Sequence, residues 1–357
     1  MLSEWTIFEY YCDDDAMGYS TFDFSKDMYF DISLNNCNIC ILNKTFLSKS
    51  VSKIFKSNTI NTVHEFIDHN DKIDMTDPYN FYNFIKEGID KCPSNKYCLF
   101  INCHSQGWFM KHFKYDKLTV TYNDLFKKVK ENNIFFEFIV LNSCHTATLE
   151  LMYEFRNITN YLIGSENPTP FYPHVFSQNT INILSSNTNV KDICIELAKD
   201  YIHINNNPSP RTRKHYVQGE PDISVIDVKR SESLINSIIQ FDMSKIRLKD
   251  LHYYRICPDD IRYGQEAFVV YDLYYVITHY FKNDKNYKNF INEFNKALIY
   301  YDQSNNLKKE STSKYSTGIG YTPCPYEHHS RGISYIKMDI YKYNEKLLSN
   351  CDILEYN

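Results

Sequence analysis

Cys144 and His104 are the two residues of this chain whose types and positions point most directly to nucleophilic chemistry. Each follows an apolar run rich in β-branched and aromatic residues, one starting at Phe135 and the other at Tyr97. Such runs between polar segments are typical of buried strands in a parallel sheet. Open α/β sheets carry their chemistry beyond the carboxyl ends of the strands, so neighbouring strands would bring both residues to one edge. A cysteine and a histidine that are distant in sequence but close in the fold are a candidate nucleophile and base.

Two neighbouring residues offer the same chemistry, since Cys103 precedes His104 and His145 follows Cys144. Adjacent side chains of a strand point to opposite faces. Cys103 therefore cannot share a site with His104 while the strand continues, and His145 is displaced from Cys144. The residues alone leave a plainer interpretation open, in which a buried thiol and a hydrogen-bonded histidine simply end two strands.

A helix is expected directly after the cysteine, because apolar residues recur at helical spacing in residues 147–155. We therefore expect Cys144 to lie just before a helix N-terminus. The helix dipole and the free N–H groups there would favour a thiolate and lower the pKa of the thiol.

Strands and helices alternate through the first half of the chain. Strand patterns cover residues 5–12, 38–42, 62–67, 97–104, 135–144 and 161–164, with helical patterns at 19–34, 78–89, 122–131 and 147–155. This order predicts an α/β fold with a mostly parallel sheet and helices on both faces. Beyond residue 186 the alternation loosens: helices are expected at 190–201, 231–239, 267–280 and 287–301, and strands at 222–228 and 332–340. We therefore divide the chain into a catalytic domain, 1–186, and a more helical C-terminal region, 187–357, packed on it.

Composition excludes several classes of protein. The net charge of −5 leaves no basic footprint for nucleic acid, and no uncharged apolar window is long enough to cross a membrane. The N-terminus does not look like a signal peptide, and eleven scattered cysteines are typical of reduced thiols, so we expect a cytoplasmic protein.

We assign Cys37 and Cys40 to the core rather than to zinc, and we expect no metal site at His328-His329. Nucleotide-binding and zincin motifs are absent from the sequence.

With these residues in hand, the chain resembles the clostripain family, cysteine peptidases of the caspase-like clan that also includes gingipains and legumain. The resemblance runs nearly end to end and is most specific in its centre. His104-Ser105-Gln106-Gly107-Trp108 is similar to the family's His-Gly-x-Gly-Trp. Further matches are the strand from Trp5 with its Asp cluster, Asp74 to Pro78, Cys144 to Glu150, Tyr161 to Glu166, Ser224 to Asp227, and Gly332 to Tyr335.

The resemblance implies a caspase-like fold and a cysteine endopeptidase. His104 would deprotonate Cys144, and the backbone N–H groups of Ser105 and Cys144 would bind the oxyanion. Asn142, Ser165 and Glu166 occupy positions of the substrate-binding region. The partners would be proteins or peptides, with no nucleic acid and no membrane. We expect no cofactor, and the sequence carries no signal for or against a calcium requirement.

Two positions depart from the family pattern. Ser105 replaces glycine, and a backbone angle that only glycine favours would destabilise it by about 1 kcal/mol or more. Asn142 replaces an aspartate that favours basic side chains in the substrate. Glu166 would restore the charge, or it is a solvated loop residue. We therefore expect weakened preference for Arg or Lys at P1, with Asn or Gln tolerated. These departures motivate one alternative, a weak or inactive homologue that binds peptides. A second is a peptide ligase on the same scaffold.

Overall fold

A computed structural model gives the fold. It describes residues 2–13, 34–45, 50–55, 63–69, 73–103, 105–110, 120–167, 169, 178–207, 221–247, 270–309, 316–321 and 338–347.

Strands make up most of the framework of these residues. They are β1 (Ser3–Asp13), β2 (Cys37–Thr45), β3 (Ser50–Phe55), β4 (Val63–His69), β5 (Ser94–Cys103), β6 (Ser105–Gln106), β7 (Phe109–Met110), β8 (Val120–Thr121), β9 (Phe136–Asn142), β10 (Thr159–Gly164), β11 (Asp222–Asp227), β12 (Tyr271–Asp272), β13 (Leu298–Gln303) and β14 (Gly320–Tyr321).

One large sheet joins nine of these described strands in the order β13-β11-β10-β9-β5-β1-β2-β3-β4. Its central five strands, from β10 to β2, are parallel. Both edges continue with antiparallel pairs. The predicted α/β fold with a parallel centre is therefore confirmed. Two small sheets, β6-β7-β8 and β12-β14, lie beside it.

Helices cover both faces of the sheet, as predicted. They are α1 (Pro78–Lys91), α2 (Tyr122–Glu131), α3 (Leu149–Phe155), α4 (Gln178–Ser186), α5 (Val190–Asn206), α6 (Ser231–Ile238), α7 (Leu273–Phe281), α8 (Tyr287–Ala297) and α9 (Asn344–Leu347). The larger core cluster packs the sheet against residues of α1, α2, α3, α6, α7 and α8, and the smaller one packs the other face against α4 and α5.

Strand β9 has apolar side chains on both faces because both faces are covered. Ile139 and Leu141 join the larger core cluster, whereas Phe138 and Val140 join the smaller one. All four are at most 3% exposed. This two-sided burial explains the uninterrupted apolar run and confirms the prediction of a central strand.

Two helix starts follow their sequence signals. Asp77 caps α1 through a 2.8 Å hydrogen bond from Tyr79 N, with Pro78 in the first turn. Thr121 caps α2 by accepting from Asp124 N at 2.9 Å. Capping of this kind satisfies N–H groups that the helix leaves free and stabilises each helix by about 1 kcal/mol.

The C-terminal region holds the main corrections. Helix α8 ends at Ala297 rather than at residue 301, and the apolar residues that follow form β13, which pairs antiparallel with β11. The strand predicted over 332–340 is wrong at its end, since Asp339–Tyr343 is a 3₁₀ helix; residues 332–337 lie outside the described part of the chain. Strand β3 was not predicted from the sequence.

Most of the helix predicted at 19–34 lies outside the described residues. The division at residue 186 stays a prediction, although strands from both sides share the large sheet.

Candidate active site

The carboxyl ends of β5 and β9 lie side by side, which meets the first condition for a cysteine–histidine site. The two strands are parallel neighbours, and Asn102 is in register with Asn142. Asn142 Nδ2 donates to Asn102 Oδ1 at 2.8 Å. The chain segments that lead to His104 and Cys144 therefore reach the same edge of the sheet.

A buried cluster of three polar side chains fastens these two strand ends together. Cys103 Sγ lies 3.2 Å from Tyr122 Oη and 3.3 Å from Ser143 Oγ, and the Tyr122 and Ser143 oxygens are 3.2 Å apart. The three side chains are at most 2% exposed. Burial raises the pKa of the Cys103 thiol to about 11, against smaller opposing effects of the two hydroxyls. Cys103 is therefore a structural thiol, as strand alternation predicted.

Ser105 holds the backbone of Cys144 from the other side of position 104. Its Oγ donates to the carbonyl oxygen of Cys144 at 2.8 Å, and Gly107 N donates to the same oxygen at 3.4 Å. Ser105 does not have a positive φ, whereas Gly107 does, at 63°. The destabilisation that a glycine-only angle would bring to Ser105 therefore does not arise, and the expectation was wrong. His104 itself lies outside the described residues.

Cys144 stands apart from the other cysteines of the described residues. Seven of these eight free cysteines are buried, and Cys144 alone is partly exposed. Its Sγ lies 3.8 Å from both the carbonyl oxygen and the Oγ1 of Thr169. A thiol must be reachable to act as a nucleophile, and among the described cysteines only Cys144 meets this requirement.

His145 directly follows Cys144, but its ring is buried and hydrogen-bonded to the backbone. It has a φ of 58°, a left-handed conformation that is unusual for a residue other than glycine. The residue is 3% exposed. Its Nδ1 lies 2.8 Å from the carbonyl oxygen of Glu166, and its backbone N donates to Asn167 O at 3.3 Å. Because a carbonyl can only accept, Nδ1 carries the proton. Burial lowers the pKa of His145, so the ring is a neutral anchor of the turn.

The helix after the cysteine begins later than predicted. Helix α3 starts at Leu149, and Thr148 caps it by accepting from Leu151 N at 3.3 Å. Four residues separate Cys144 from the helix, so the prediction that the cysteine lies at the helix N-terminus is wrong. Instead, the intervening turn is bonded to the next strand, where Ala147 N donates to Ser165 O at 2.9 Å.

Ser165 and Glu166, the other two predicted substrate-binding residues, are fully buried. Ser165 Oγ donates to Asp222 Oδ1 and to Asn167 O. The Oε2 atom of Glu166 accepts at 2.8 Å from both Ser316 Oγ and Gly318 N. Glu166 is therefore no solvated loop residue, and it is held by a segment about 150 residues further along the chain. Its assignment to substrate binding stays a prediction.

Three acidic residues meet in this buried region, and burial raises the pKa of two of them, Glu166 and Asp272. Glu166 lies with Asp222 and Asp272, and all three have no solvent exposure. Burial, followed by the charges of Asp272 and Asp222, raises the pKa of Glu166 well above its ordinary value. Burial likewise raises the pKa of Asp272 to about 6. Glu166 thus lies among buried acidic groups that oppose its ionisation.

Sequence reasoning missed several residues that shape this edge of the sheet. Tyr122 carried a helix signal but no sign that its hydroxyl would reach Cys103. Asp222, Asp272 and Ser316 come from distant segments, and only their arrival beside Glu166 shows their role. Thr169 was unremarkable in the sequence, yet it is the residue whose two oxygens lie against the thiol.

No cluster of three or more metal-binding side chains occurs among the described residues; His328 and His329 lie outside them. In the same part of the chain no helix has the length and apolar character that a membrane crossing requires. Cys37 and Cys40 are buried and belong to opposite core clusters, as expected for core residues.

Comparison with known proteins finds similar sequences and folds. The model of the clostripain family matches residues 10–341. Among solved structures, an inactive zymogen C11 protease from Parabacteroides distasonis is similar, with a TM-score of 0.71 and 15% identity over 98% of this chain and 99% of the other. A secreted C11 cysteine protease from Bacteroides thetaiotaomicron, in complex with an irreversible peptide inhibitor, has a TM-score of 0.70 and 14% identity over 95% and 98% of the two chains. At these identities the structural likeness establishes the fold. None of the curated proteins matches the chain.

Proposed function

This chain belongs to the clostripain family and is a cysteine endopeptidase, and from that premise we propose that Cys144 is its nucleophile and His104 its general base. The observation that carries this assignment is the exposure of Cys144, alone among the described cysteines, at the edge where β5 and β9 end. His104 is supported by its two neighbours, because Cys103 contacts Ser143 and Ser105 binds the Cys144 carbonyl.

The proposed reaction has two steps. His104 takes the thiol proton, Sγ attacks the substrate carbonyl carbon, and the carbonyl oxygen becomes an oxyanion. As the C–N bond breaks, the same proton passes to the leaving amine and a thioester remains. Water then attacks the thioester, gives its proton to His104, and releases the acid and the thiol.

The oxyanion donors in this proposal are the backbone N–H groups of Ser105 and Cys144. Serine keeps the N–H that glycine would provide, and Ser105 avoids the left-handed angle that would strain it. Such donors contribute roughly 3–4 kcal/mol of transition-state stabilisation in other enzymes. The argument for an inactive homologue loses the support that it drew from Ser105, and Asn142 alters a pocket rather than the nucleophile.

Peptide hydrolysis by purified variants tests the assignment. Cys144→Ala should lower kcat by about six orders of magnitude, since removing a nucleophile leaves only binding and oxyanion stabilisation. His104→Ala should lower kcat by about two to four orders of magnitude, the usual contribution of a general base. Cys98→Ala, which alters a fully buried thiol in the middle of β5, is the matched control and should keep near wild-type kcat. Hydrolysis that survives in Cys144→Ala would overturn the proposal.

The proposed chemistry uses only protein groups, so we propose that no metal or organic cofactor takes part in it. After exhaustive dialysis against a chelator, buffer that contains calcium as its only added divalent metal should give full kcat. A loss of activity that only a transition metal such as zinc restores would contradict this proposal.

We also propose that the protein works in the cytoplasm. The support is that seven of the eight described cysteines are buried and behave as small apolar side chains, as expected where glutathione keeps thiols reduced. Alkylation at the moment of cell lysis should find every thiol free in the cytoplasmic fraction. Recovery of the protein in the medium, or with disulfide bonds, would contradict it.

A further inference from the structure

A small pocket opens beside the thiol on the α5 side of the large sheet. It lies between the carboxyl-terminal half of β9, the strands β10 and β11, and the helix α5. Its lining consists of Val140, Leu141, Asn142, Ile163, Thr169, Leu197, Tyr201 and Ile223. Thr169 connects it to the nucleophile, because the same residue lies 3.8 Å from Cys144 Sγ.

The lining of this pocket is almost wholly apolar. Aliphatic side chains from three strands and one helix provide most of its wall, and polar groups enter through Asn142, Thr169 and Tyr201. Among the described lining residues there is no carboxylate. The carboxyl of Glu166 is engaged elsewhere, with Ser316 and Gly318.

The pocket is also narrow. About 10 Å³ is open to the centre of a water-sized sphere, which is close to the space that one water molecule needs. The methyl group of alanine fits this space. Thr and Val need a small outward shift of the walls, and long side chains need a much larger one. A lysine or arginine side chain would in addition lose its hydration, and the described lining residues offer no charge to replace it.

We infer that this pocket receives the P1 side chain and selects short uncharged residues such as Ala, Thr and Val, with Lys and Arg excluded. The inference rests on the proposed role of Cys144. The inferred selectivity goes beyond the loss of one charge at Asn142, because the side chains of the whole pocket wall, and not Asn142 alone, set the preference at P1.

A peptide library that varies only at P1 tests the inference on the full chain. The kcat/KM for Ala, Thr or Val at P1 should exceed that for Lys or Arg at least tenfold, with Asn and Gln between them. Exclusive or preferred cleavage after Lys or Arg would overturn the inference and leave the proposed function intact. If no peptide is cleaved and peptide aldehydes do not modify Cys144, the proposed function fails and the inference with it.

Two variants probe the wall itself. Asn142→Asp adds a carboxylate at the pocket, and the Asn102 amide can turn its Nδ2 towards it, so the Lys-to-Ala ratio of kcat/KM should rise at least tenfold. Asn189→Asp adds the same charge at an exposed helix cap, a position that aspartate also suits, and should leave the ratio unchanged. Leu197→Ala enlarges the pocket and should shift the preference towards Leu and Met. Equal ratios in Asn142→Asp and Asn189→Asp, with no shift in Leu197→Ala, would show that P1 binds elsewhere.

Discussion

The hydroxyl of Ser105 donates a 2.8 Å hydrogen bond to the backbone carbonyl of Cys144. This bond joins the segment after β5 to the segment after β9, directly at the proposed nucleophile. Ser105, which replaces the glycine of the family pattern, thus holds the backbone of the proposed nucleophile in place.

Removing this hydroxyl should weaken catalysis more than folding. Ser105→Ala loses one hydrogen bond worth about 1 kcal/mol, so kcat should fall about fivefold through displacement of Cys144, with KM nearly unchanged. Ser237→Ala is the matched control, because Ser237 Oγ also donates to a backbone carbonyl, that of Leu234, inside helix α6. An unchanged kcat in Ser105→Ala would show that Gly107 N alone holds the turn.

The hydroxyl of Tyr122 should also help to position the strand ends that carry the proposed catalytic residues. Tyr122→Phe removes the group that contacts both Cys103 and Ser143, and we expect a loss of about 1 kcal/mol in unfolding free energy together with a severalfold lower kcat. Tyr10→Phe removes a buried hydroxyl that bonds Met75 O at 2.6 Å. Its stability loss should be similar, but its kcat should not change. Equal effects of the two variants on kcat would deny Tyr122 a positioning role.

The buried acids should make stability fall as the pH rises. In the folded protein the pKa of Glu166 is raised, and that of Asp272 is raised to about 6. The folded state therefore holds protons that the unfolded chain releases near pH 4, and stability present below pH 4 is lost as the pH rises through these folded values.

Glu166→Gln tests this dependence because its amide oxygen can accept from Gly318 N and the side chain cannot titrate. The decline of the urea midpoint between pH 5 and pH 7.5 should be shallower than in the wild type. Glu87→Gln removes a solvent-facing carboxyl of α1 and should leave the slope unchanged. A slope in Glu166→Gln as steep as in the wild type would assign the pH dependence to other groups.

The buried His145 acts in the opposite direction. Its pKa is lowered in the folded protein, so the protein loses stability as the pH falls below about 6.5 and the unfolded chain takes up a proton there.

Local sequence patterns predicted the parts of this protein that depend on local physics. The apolar runs before His104 and Cys144 became neighbouring parallel strands, and helices formed where helical spacing predicted them at 78–89 and 122–131. The segment after Ala297 was misassigned because a short apolar run suits either a helix or a strand, and pairing with β11 decides between them.

Features that depend on distant segments were out of reach of pattern reasoning. The burial of Glu166 results from Ser316 and Gly318, and the pocket wall needs β11 and α5. The start of α3 at Leu149 was missed because Thr146 and Ala147 bond to neighbouring backbone instead of continuing the helix.

Thiol labelling tests the central assignment most directly. At pH 6 an ordinary thiol is almost wholly protonated, so brief exposure to iodoacetamide followed by mass spectrometry should modify Cys144 at least tenfold faster than any other of the eleven cysteines. His104→Ala should slow that reaction at least tenfold, whereas His203→Ala, at an exposed position of α5, should leave it unchanged. Even labelling across the cysteines, or a Cys144 rate that does not depend on His104, would contradict the Cys144–His104 pair.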